Sequence, residues 1–379
     1  MKITIISTAY PLRGGIAQYS GILYNKLKEQ KHEVSVVTFK RQYPEFLFPG
    51  KTQKETSELD SIKIESEPII DSINPLSWIN VCKKIRRHKP DLIIFNYWMP
   101  FFAPCFGSMC WFTKIFTKTK VLYICHNIIP HERRLGDVAL TKFAFKKADY
   151  FIVLSEVVKQ QLLELFPNAC YRKIPHPVFS VFGEAIDKNK AKKEIGTSGQ
   201  RVILFFGYIR AYKGLDLILK AMPEIVKELN VKLAVVGEFY DHEQKYRKLI
   251  KELGIERNVL IHAEFIPNEK VSLYFCAADV VVLPYRSATQ SGIVPLAYHF
   301  GRPCIVTDVG GLAEVVIHSK TGFVVKADDP RELADAVIRF YLENKEQEFS
   351  KNVKEEKKKY SWENVISAIE GFVNSRIIK

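Results

Sequence analysis

The sequence predicts an α/β protein made of two successive parallel-sheet domains, and three observations predict it. The chain has 379 residues, more than a single core usually fills. Short apolar strands alternate with amphipathic helical stretches from end to end. The whole pattern then restarts after Pro175-His176-Pro177. An apolar content of 47% with 26% charged residues belongs to a folded globular chain and excludes a disordered one.

In the first half the expected strands are KITIIS (2–7), EVSVVTF (33–39), DLIIFN (91–96), KVLYICH (120–126) and YFIVLS (150–155). Helical stretches fall at 16–30, 76–88, 137–147 and 156–166. The strands are Val/Ile-rich and lack polar alternation, as strands do when both sheet faces are covered. One segment tests this reading, because no charge occurs between Asp91 and Lys114, a length near that of a membrane span. Asn96, Pro100, Pro104, Gly107 and Ser108 interrupt it, so it reads as a buried strand (92–97), an aromatic turn and an apolar helix.

After the proline-marked junction and a polar stretch at 184–200, the strands are RVILFFG (201–207), KLAVVG (232–237), VLIHA (259–263), VVVLP (280–284), PCIVT (303–307) and GFVV (322–325). Helices fit 214–229, 241–253, 269–276, 292–300, 311–317 and 330–343. The expected domains are 1–178 and 179–360, with a cleft between them of the kind that binds ligands at strand C-termini. The tail opens with KNVKEEKKKY and ends in an amphipathic helix carrying Trp362, Ile366, Ile369 and Val373 on one face. That helix, within 361–379, is expected to pack back on the first domain.

Met1 runs straight into the first strand without a signal-peptide layout, and the seven cysteines form no CxxC pair. A cytoplasmic chain with reduced thiols is expected. The net charge of +14 is uneven: residues 1–178 hold 26 Lys and Arg against 15 Asp and Glu, residues 179–379 hold 30 against 27. A basic first half beside an aromatic segment suits an anionic partner, whether lipid headgroups, a lipid-linked diphosphate or nucleic acid. Simple solubility explains the charge equally well.

Three motifs carry candidate chemistry. Leu12-Arg13-Gly14-Gly15-Ile16 joins the first strand to a helix, where two glycines let a ligand approach the helix N-terminus. It is not a GxGxxG fingerprint, and no acidic residue ends the second strand, so a nicotinamide dehydrogenase is disfavoured. Gly207-Tyr208-Ile209-Arg210-Ala211-Tyr212-Lys213-Gly214 follows the first strand of the second half. Arg210, with its planar fork, and Lys213, as a point charge, are placed to meet the phosphates of a nucleoside diphosphate. The third, Ala288-Thr289-Gln290-Ser291-Gly292-Ile293, precedes a helix. Amides at Ser291, Gly292 and Ile293 are expected to form an anion seat, with Thr289 and Gln290 contacting sugar hydroxyls. Each motif alone also reads as an ordinary turn or capped helix.

Together the pieces resemble the family 4 (group 1) retaining glycosyltransferases, which have the GT-B fold of two Rossmann-like domains facing a central cleft. The matching residues are Pro11 to Gly15, the Arg210/Lys213-Gly214 loop, Ala277-Ala278-Asp279 before VVVLP, Gly301-Arg302-Pro303, Gly310-Gly311 with Glu314, and Thr321-Gly322-Phe323. The resemblance implies sugar transfer from a nucleoside-diphosphate donor with retained configuration, in cell-envelope or polysaccharide synthesis. Arg210, Lys213 and the Ser291–Ile293 amides would hold the departing diphosphate, with Gly207 beside them. His126 would sit near the transferred sugar. Gly14, Gly15, Tyr19, Trp98 and His131 would line the acceptor side. No DxD dipeptide occurs, so neither a metal nor another cofactor is expected. The implied partners are the nucleotide sugar and a sugar or lipid-linked acceptor, not nucleic acid; the basic first half, for its part, suits a peripheral contact with the anionic cytoplasmic face of a membrane.

The chain departs from the family pattern where two glutamates with seven residues between them are usual, since Ala288 and Leu296 stand there. The expectation is that Gln290 and Thr289 take over sugar recognition. A nucleotide-sugar 2-epimerase and a non-catalytic glycan-binding relative remain alternatives at this point.

Overall fold

The computed structural model describes residues 1–45, 48, 52–55, 63–130, 134–178 and 181–374. The chain divides into two compact units, Met1–Pro177 with Ser361–Lys379, and Val178–Tyr360.

The first unit runs β1 (Lys2–Ile6), α1 (Gly15–Glu29), β2 (Glu33–Arg41), β3 (Glu67–Asp71), α2 (Pro75–His88), β4 (Leu92–Tyr97), α3 (Ala103–Phe116), β5 (Lys120–Cys125), α4 (Asp137–Phe145), β6 (Tyr150–Val153), α5 (Glu156–Leu165) and β7 (Tyr171–Lys173). Its seven strands are all parallel, in the order β3-β2-β1-β4-β5-β6-β7. The order reverses at β1, so the loops after β1 and β4 diverge and leave a crevice at their C-terminal ends. Every residue of β4 is buried, which explains its uninterrupted apolar run. The uncharged segment resolves into β4, a 3-10 turn at Pro100–Phe102 and the 14-residue α3. Among the described residues no helix is long and apolar enough to cross a membrane.

The second unit runs α6 (Lys188–Glu194), β8 (Arg201–Phe206), α7 (Leu215–Glu228), β9 (Val231–Val236), α8 (Glu243–Glu252), β10 (Val259–His262), α9 (Asn268–Ala277), β11 (Val280–Leu283), α10 (Ile293–His299), β12 (Cys304–Thr307), α11 (Leu312–Val315), β13 (Gly322–Val325), α12 (Pro330–Leu342) and α13 (Lys345–Glu356). Its six parallel strands are ordered β10-β9-β8-β11-β12-β13, with the reversal at β8. The chain then returns to the first unit as α14 (Trp362–Asn374), whose Trp362 lies 4.8 Å from Tyr19 on α1 between ring centroids. On α14, Phe372 is buried and stacks on Tyr150 at 4.7 Å, while Val373 is only half-buried.

Elements that the apolar pattern does not announce are short or polar. β3 buries only Ile70 fully, and β7 buries nothing fully. Within the stretch expected to be a polar linker, α6 forms because Asp187 caps it by accepting from the Lys190 N–H at 2.8 Å.

Candidate functional site

In the second unit the two candidate motifs meet at the C-terminal edge of the sheet. Gly207 ends β8 with φ +108°, and a Cβ there would stand 3.2 Å from Lys213 Nζ and 3.5 Å from Ile293 Cδ1. The glycine therefore leaves room where the cation loop and the start of α10 converge. A Cβ on Gly237, after β9, would lie 2.1 Å from the Gly207 carbonyl, so both strand ends approach backbone to backbone. The loops continue this pairing, with the Ile209 N–H donating to the Glu238 carbonyl and the Tyr240 N–H to the Ile209 carbonyl, both at 2.9 Å.

Arg210 and Lys213 flank a 3-10 turn at Ala211–Lys213. The Arg210 guanidinium sits over the Tyr240 ring at 5.1 Å, and Lys213 Nζ over the Tyr285 ring at 5.5 Å. Neither has a carboxylate partner among the described residues, whereas the nearby Arg286 and Lys220 both pair with Asp216. Burial and then the Arg210 charge lower the Lys213 ammonium from its ordinary 10.5 to about 8. Two like charges held together and partly desolvated, without a counter-ion, create local electrostatic demand for an anion.

The turn is held in place from β11. The Arg286 N–H donates to the Tyr212 carbonyl at 2.7 Å and its Nη1 to the Ala211 carbonyl at 3.1 Å. The same guanidinium grips Asp216, in the first turn of α7, through two 2.8 Å bonds, and reaches Asp328 at 2.7 Å. Burial alone would raise the Asp216 carboxyl, but Arg286 and Lys220 outweigh it and hold the group below its ordinary value. Gly214, at φ +68°, presses against the end of β11, where a Cβ would fall 2.0 Å from the Pro284 carbonyl. Arg286 and Asp216 were not singled out from the sequence, since 70 residues separate them and each is an unremarkable charge alone.

Before α10, the Ala288–Ile293 loop rests on the Gly310-Gly311 turn. Gly310 has φ +51°, and a Cβ there would overlap the Ala288 carbonyl at 1.5 Å, while the Gly311 N–H donates to the Thr289 carbonyl at 3.2 Å. The expected seat of three amides is smaller than the sequence suggests. The Ile293 N–H donates to Ser291 Oγ at 3.2 Å, a local turn across the Gly292 N-cap that occupies this amide. The helix itself spans only Ile293–His299. Thr289 is buried and Gln290 half-buried. Ala288 and Leu296 are also buried, so the two positions where the family carries glutamates are filled by apolar packing.

In the first unit Gly14, at φ 107°, precedes α1, and an added Cβ on Gly15 meets nothing within 4 Å. His126 ends β5 and is buried, with Nε2 donating to Asn96 Oδ1 at 3.3 Å. Asn96 Nδ2 in turn donates to Ser7 Oγ at 3.1 Å and Ser20 Oγ at 3.0 Å. This buried chain fixes the imidazole and its tautomer from β1, β4 and α1. Tyr19 packs edge-on against His126 at 4.6 Å and against His176 at 5.6 Å. Being 0% exposed, Tyr19 supports His126 and presents no surface of its own. Burial, reinforced by His176, drives His126 well below the ordinary imidazole value. Burial likewise lowers His176 to about 4. Trp98 is half-buried, with Nε1 donating to Tyr43 Oη at 3.1 Å. His131 lies outside the described residues. Among the described residues no group of three or more His, Cys, Asp or Glu side chains is placed to hold a metal ion.

Two parallel α/β units, each with a glycine-lined crevice at the strand C-termini, define the GT-B class of glycosyltransferase fold. Residues 13–178 match the model of Glycosyltransferase Family 4, and residues 185–360 match that of Glycosyl transferases group 1. The chain belongs to this family, and it is a glycosyltransferase. It is 31% identical over 310 residues to a D-inositol 3-phosphate glycosyltransferase of Corynebacterium urealyticum, covering 72% of this chain and 69% of that one. It is 24% identical over 374 residues to an N-acetyl-alpha-D-glucosaminyl L-malate synthase of Bacillus anthracis, covering 94% and 91%. Among solved structures, Anabaena HepE in complex with UDP-glucose superposes with a TM-score of 0.76 at 18% identity, over 99% of each chain.

Proposed function

We propose that this glycosyltransferase moves a sugar from a nucleoside-diphosphate donor to its acceptor with retained anomeric configuration, in cell-envelope or polysaccharide synthesis. The donor diphosphate is held in the second unit by Arg210 and Lys213, with the Ser291 and Gly292 amides beside them. The observation that carries this reading is the pair of cations at the strand edge that have no carboxylate partner among the described residues, one with its ammonium lowered to about 8. Charge building on the departing diphosphate is stabilised by groups already in place, so little reorganisation accompanies bond cleavage. The UDP-glucose complex of HepE and the sugar-transfer names of the relatives support a nucleotide-sugar donor.

His126 stays neutral at pH 7 and contributes hydrogen bonding and shape near the transferred sugar, not charge. Gly14 and Gly15 leave open backbone for the acceptor, with Trp98 and His131 assigned to the same side. Gln290 replaces the missing glutamates in reading sugar hydroxyls. Neutralisation by Arg210 and Lys213 makes a metal unnecessary for diphosphate departure, and nucleotide release is expected to survive EDTA.

The test is nucleotide release and thermal shift across UDP-, GDP- and ADP-sugars, with sugar and lipid-linked acceptors, in wild type and in Lys213→Ala. Acceptor-dependent release that disappears in the variant supports transfer. Turnover unchanged in Lys213→Ala overturns the assignment of the diphosphate seat. The anomeric proton coupling of the product, read by NMR, decides retention, and an inverted product would refute it.

A further inference from the structure

The first unit carries an outer surface that the proposed chemistry does not use. Of the ten large apolar residues exposed among the described residues, nine lie between Ile73 and Phe143. The surface is built by α2, α3 and α4, which pack side by side on one face of the sheet. Gly107 brings α4 close to α3, since a Cβ there would come within 2.5 Å of the Phe143 ring. Arg86 of α2 lies over the Phe116 ring of α3 at 5.8 Å.

At the end of α3 the apolar side chains stand out. Ile115 is 64% exposed and Phe116 56%, and Phe112 stacks on Phe116 with centroids 6.1 Å apart. Around them the charge is one-sided: Pro75 to Lys120 contains eight Lys and Arg and one acidic residue, Asp91. Lys84 pairs with Glu67, and Lys114 and Lys120 pair with Asp149. Lys83, Arg86, Arg87, Lys89 and Lys118 have no acidic partner among the described residues. A hollow of roughly 870 Å³ opens beside Phe116, lined by Arg86, Lys89, Lys118 and Lys120.

We infer that the α2–α3–α4 face docks on an anionic lipid surface, with Ile115 and Phe116 entering the headgroup boundary and the unpaired cations of α2 and the α3–β5 link facing lipid phosphates. Exposed apolar tips ringed by cations are the pattern of a helix lying in an interface, where apolar burial and attraction to anionic lipid act together. A water-facing role leaves the apolar tips unexplained, and an acidic protein partner would leave the stacked Phe pair without a matching apolar depth. This inference is independent of the donor-site reading.

The test uses the full chain in co-sedimentation with phosphatidylcholine vesicles containing phosphatidylglycerol and with phosphatidylcholine alone. Binding to the anionic vesicles, falling with salt, is expected. Replacing two cations in Arg86→Gln/Lys89→Gln weakens it by about thirtyfold. Ile115→Ser/Phe116→Ser weakens it further and abolishes what remains at high salt. Both variants retain the wild-type melting temperature and the wild-type pattern of thermal shifts with UDP, GDP and ADP, which separates this test from failure of the donor reading. Absence of binding to anionic vesicles at low salt overturns the inference, as does wild-type binding by both variants. Self-association that Phe116→Ser removes, without vesicle binding, assigns the face to a second copy instead and equally overturns it.

Discussion

Replacing Arg286 with alanine isolates the support of the cation loop from the cations themselves. Arg286 is one-third exposed and Asp216 one-sixth, so the pair lies between a surface ion pair and a buried one. Exposed pairs contribute up to about 1 kcal/mol and breaking a buried one costs about 3–5, which places this loss near 2 kcal/mol. For a unit of this size that lowers the melting temperature by about 4–8 °C. The functional effect is larger than stability alone dictates, because the Ala211 carbonyl keeps only the Gly214 N–H at 3.2 Å once the guanidinium is gone, and the Arg210–Lys213 turn loosens. A shift of about 1 Å at a group aligned with the reacting bond costs roughly a hundredfold, so kcat/KM should fall by about ten- to a hundredfold. Nucleotide release measures this, with calorimetric affinity for the nucleoside diphosphate alongside. Arg286→Lys does not restore the rate, since an ammonium cannot bind Asp216 and the carbonyl in the same planar fork. Asp216→Asn reproduces the defect, and the double variant is little worse than either single one, because both remove the same contact. Wild-type kcat/KM and affinity in Arg286→Ala, with only the melting temperature lowered, would refute the positioning argument.

Further outcomes follow from the same geometry. Diphosphate binding raises the Lys213 pKa from about 8, so binding takes up protons between pH 8 and 9 and weakens as pH rises. Calorimetry in buffers of different ionisation enthalpy detects the uptake, and Lys213→Met eliminates it. Gly310→Ala forces a Cβ into the Ala288 carbonyl at a left-handed backbone position and destabilises the second unit by about 3 kcal/mol or more, read by denaturant unfolding. His176 is neutral when folded down to about pH 4 but protonates near 6.5 when unfolded. Its contribution is therefore complete above pH 6.5 and is lost as pH falls toward 4, by about 3 kcal/mol in all. Melting temperatures across that range measure the loss, and His176→Gln reduces it, leaving the part that the buried His126 contributes in the same direction. Gln290→Ala weakens donor-sugar affinity while leaving nucleoside-diphosphate affinity intact, and equal affinities for the sugar donor in both proteins would dispose of its role.

The sequence made the sheets legible because buried parallel strands must be apolar on both faces, and β4 shows this without exception. β3 and β7 escaped because edge strands are paired on one side only and carry little apolar signal. Gly207, Lys213 and Ile293 were legible as a group since each sits just beyond a strand or before a helix, where topology dictates convergence. The supporting contacts were not. Arg286 meets Asp216, and His126 meets Asn96, through pairings 70 and 30 residues apart that periodicity does not encode. The local turn in which Ser291 Oγ accepts from the Ile293 N–H was equally hidden, because a hydroxyl near a helix start reads the same whether it faces a ligand or its own backbone.

The return of α14 makes the first unit discontinuous in the chain, with the second unit inserted between its two pieces. During synthesis, the first 177 residues emerge from the ribosome well before the Trp362 that covers Tyr19 and the Phe372 that stacks on Tyr150. The inserted unit has all its strands in one continuous stretch and is free to fold as soon as it appears. The nascent first unit waits with Tyr19 uncovered until α14 has followed the inserted unit, and only then is the wall that supports His126 complete.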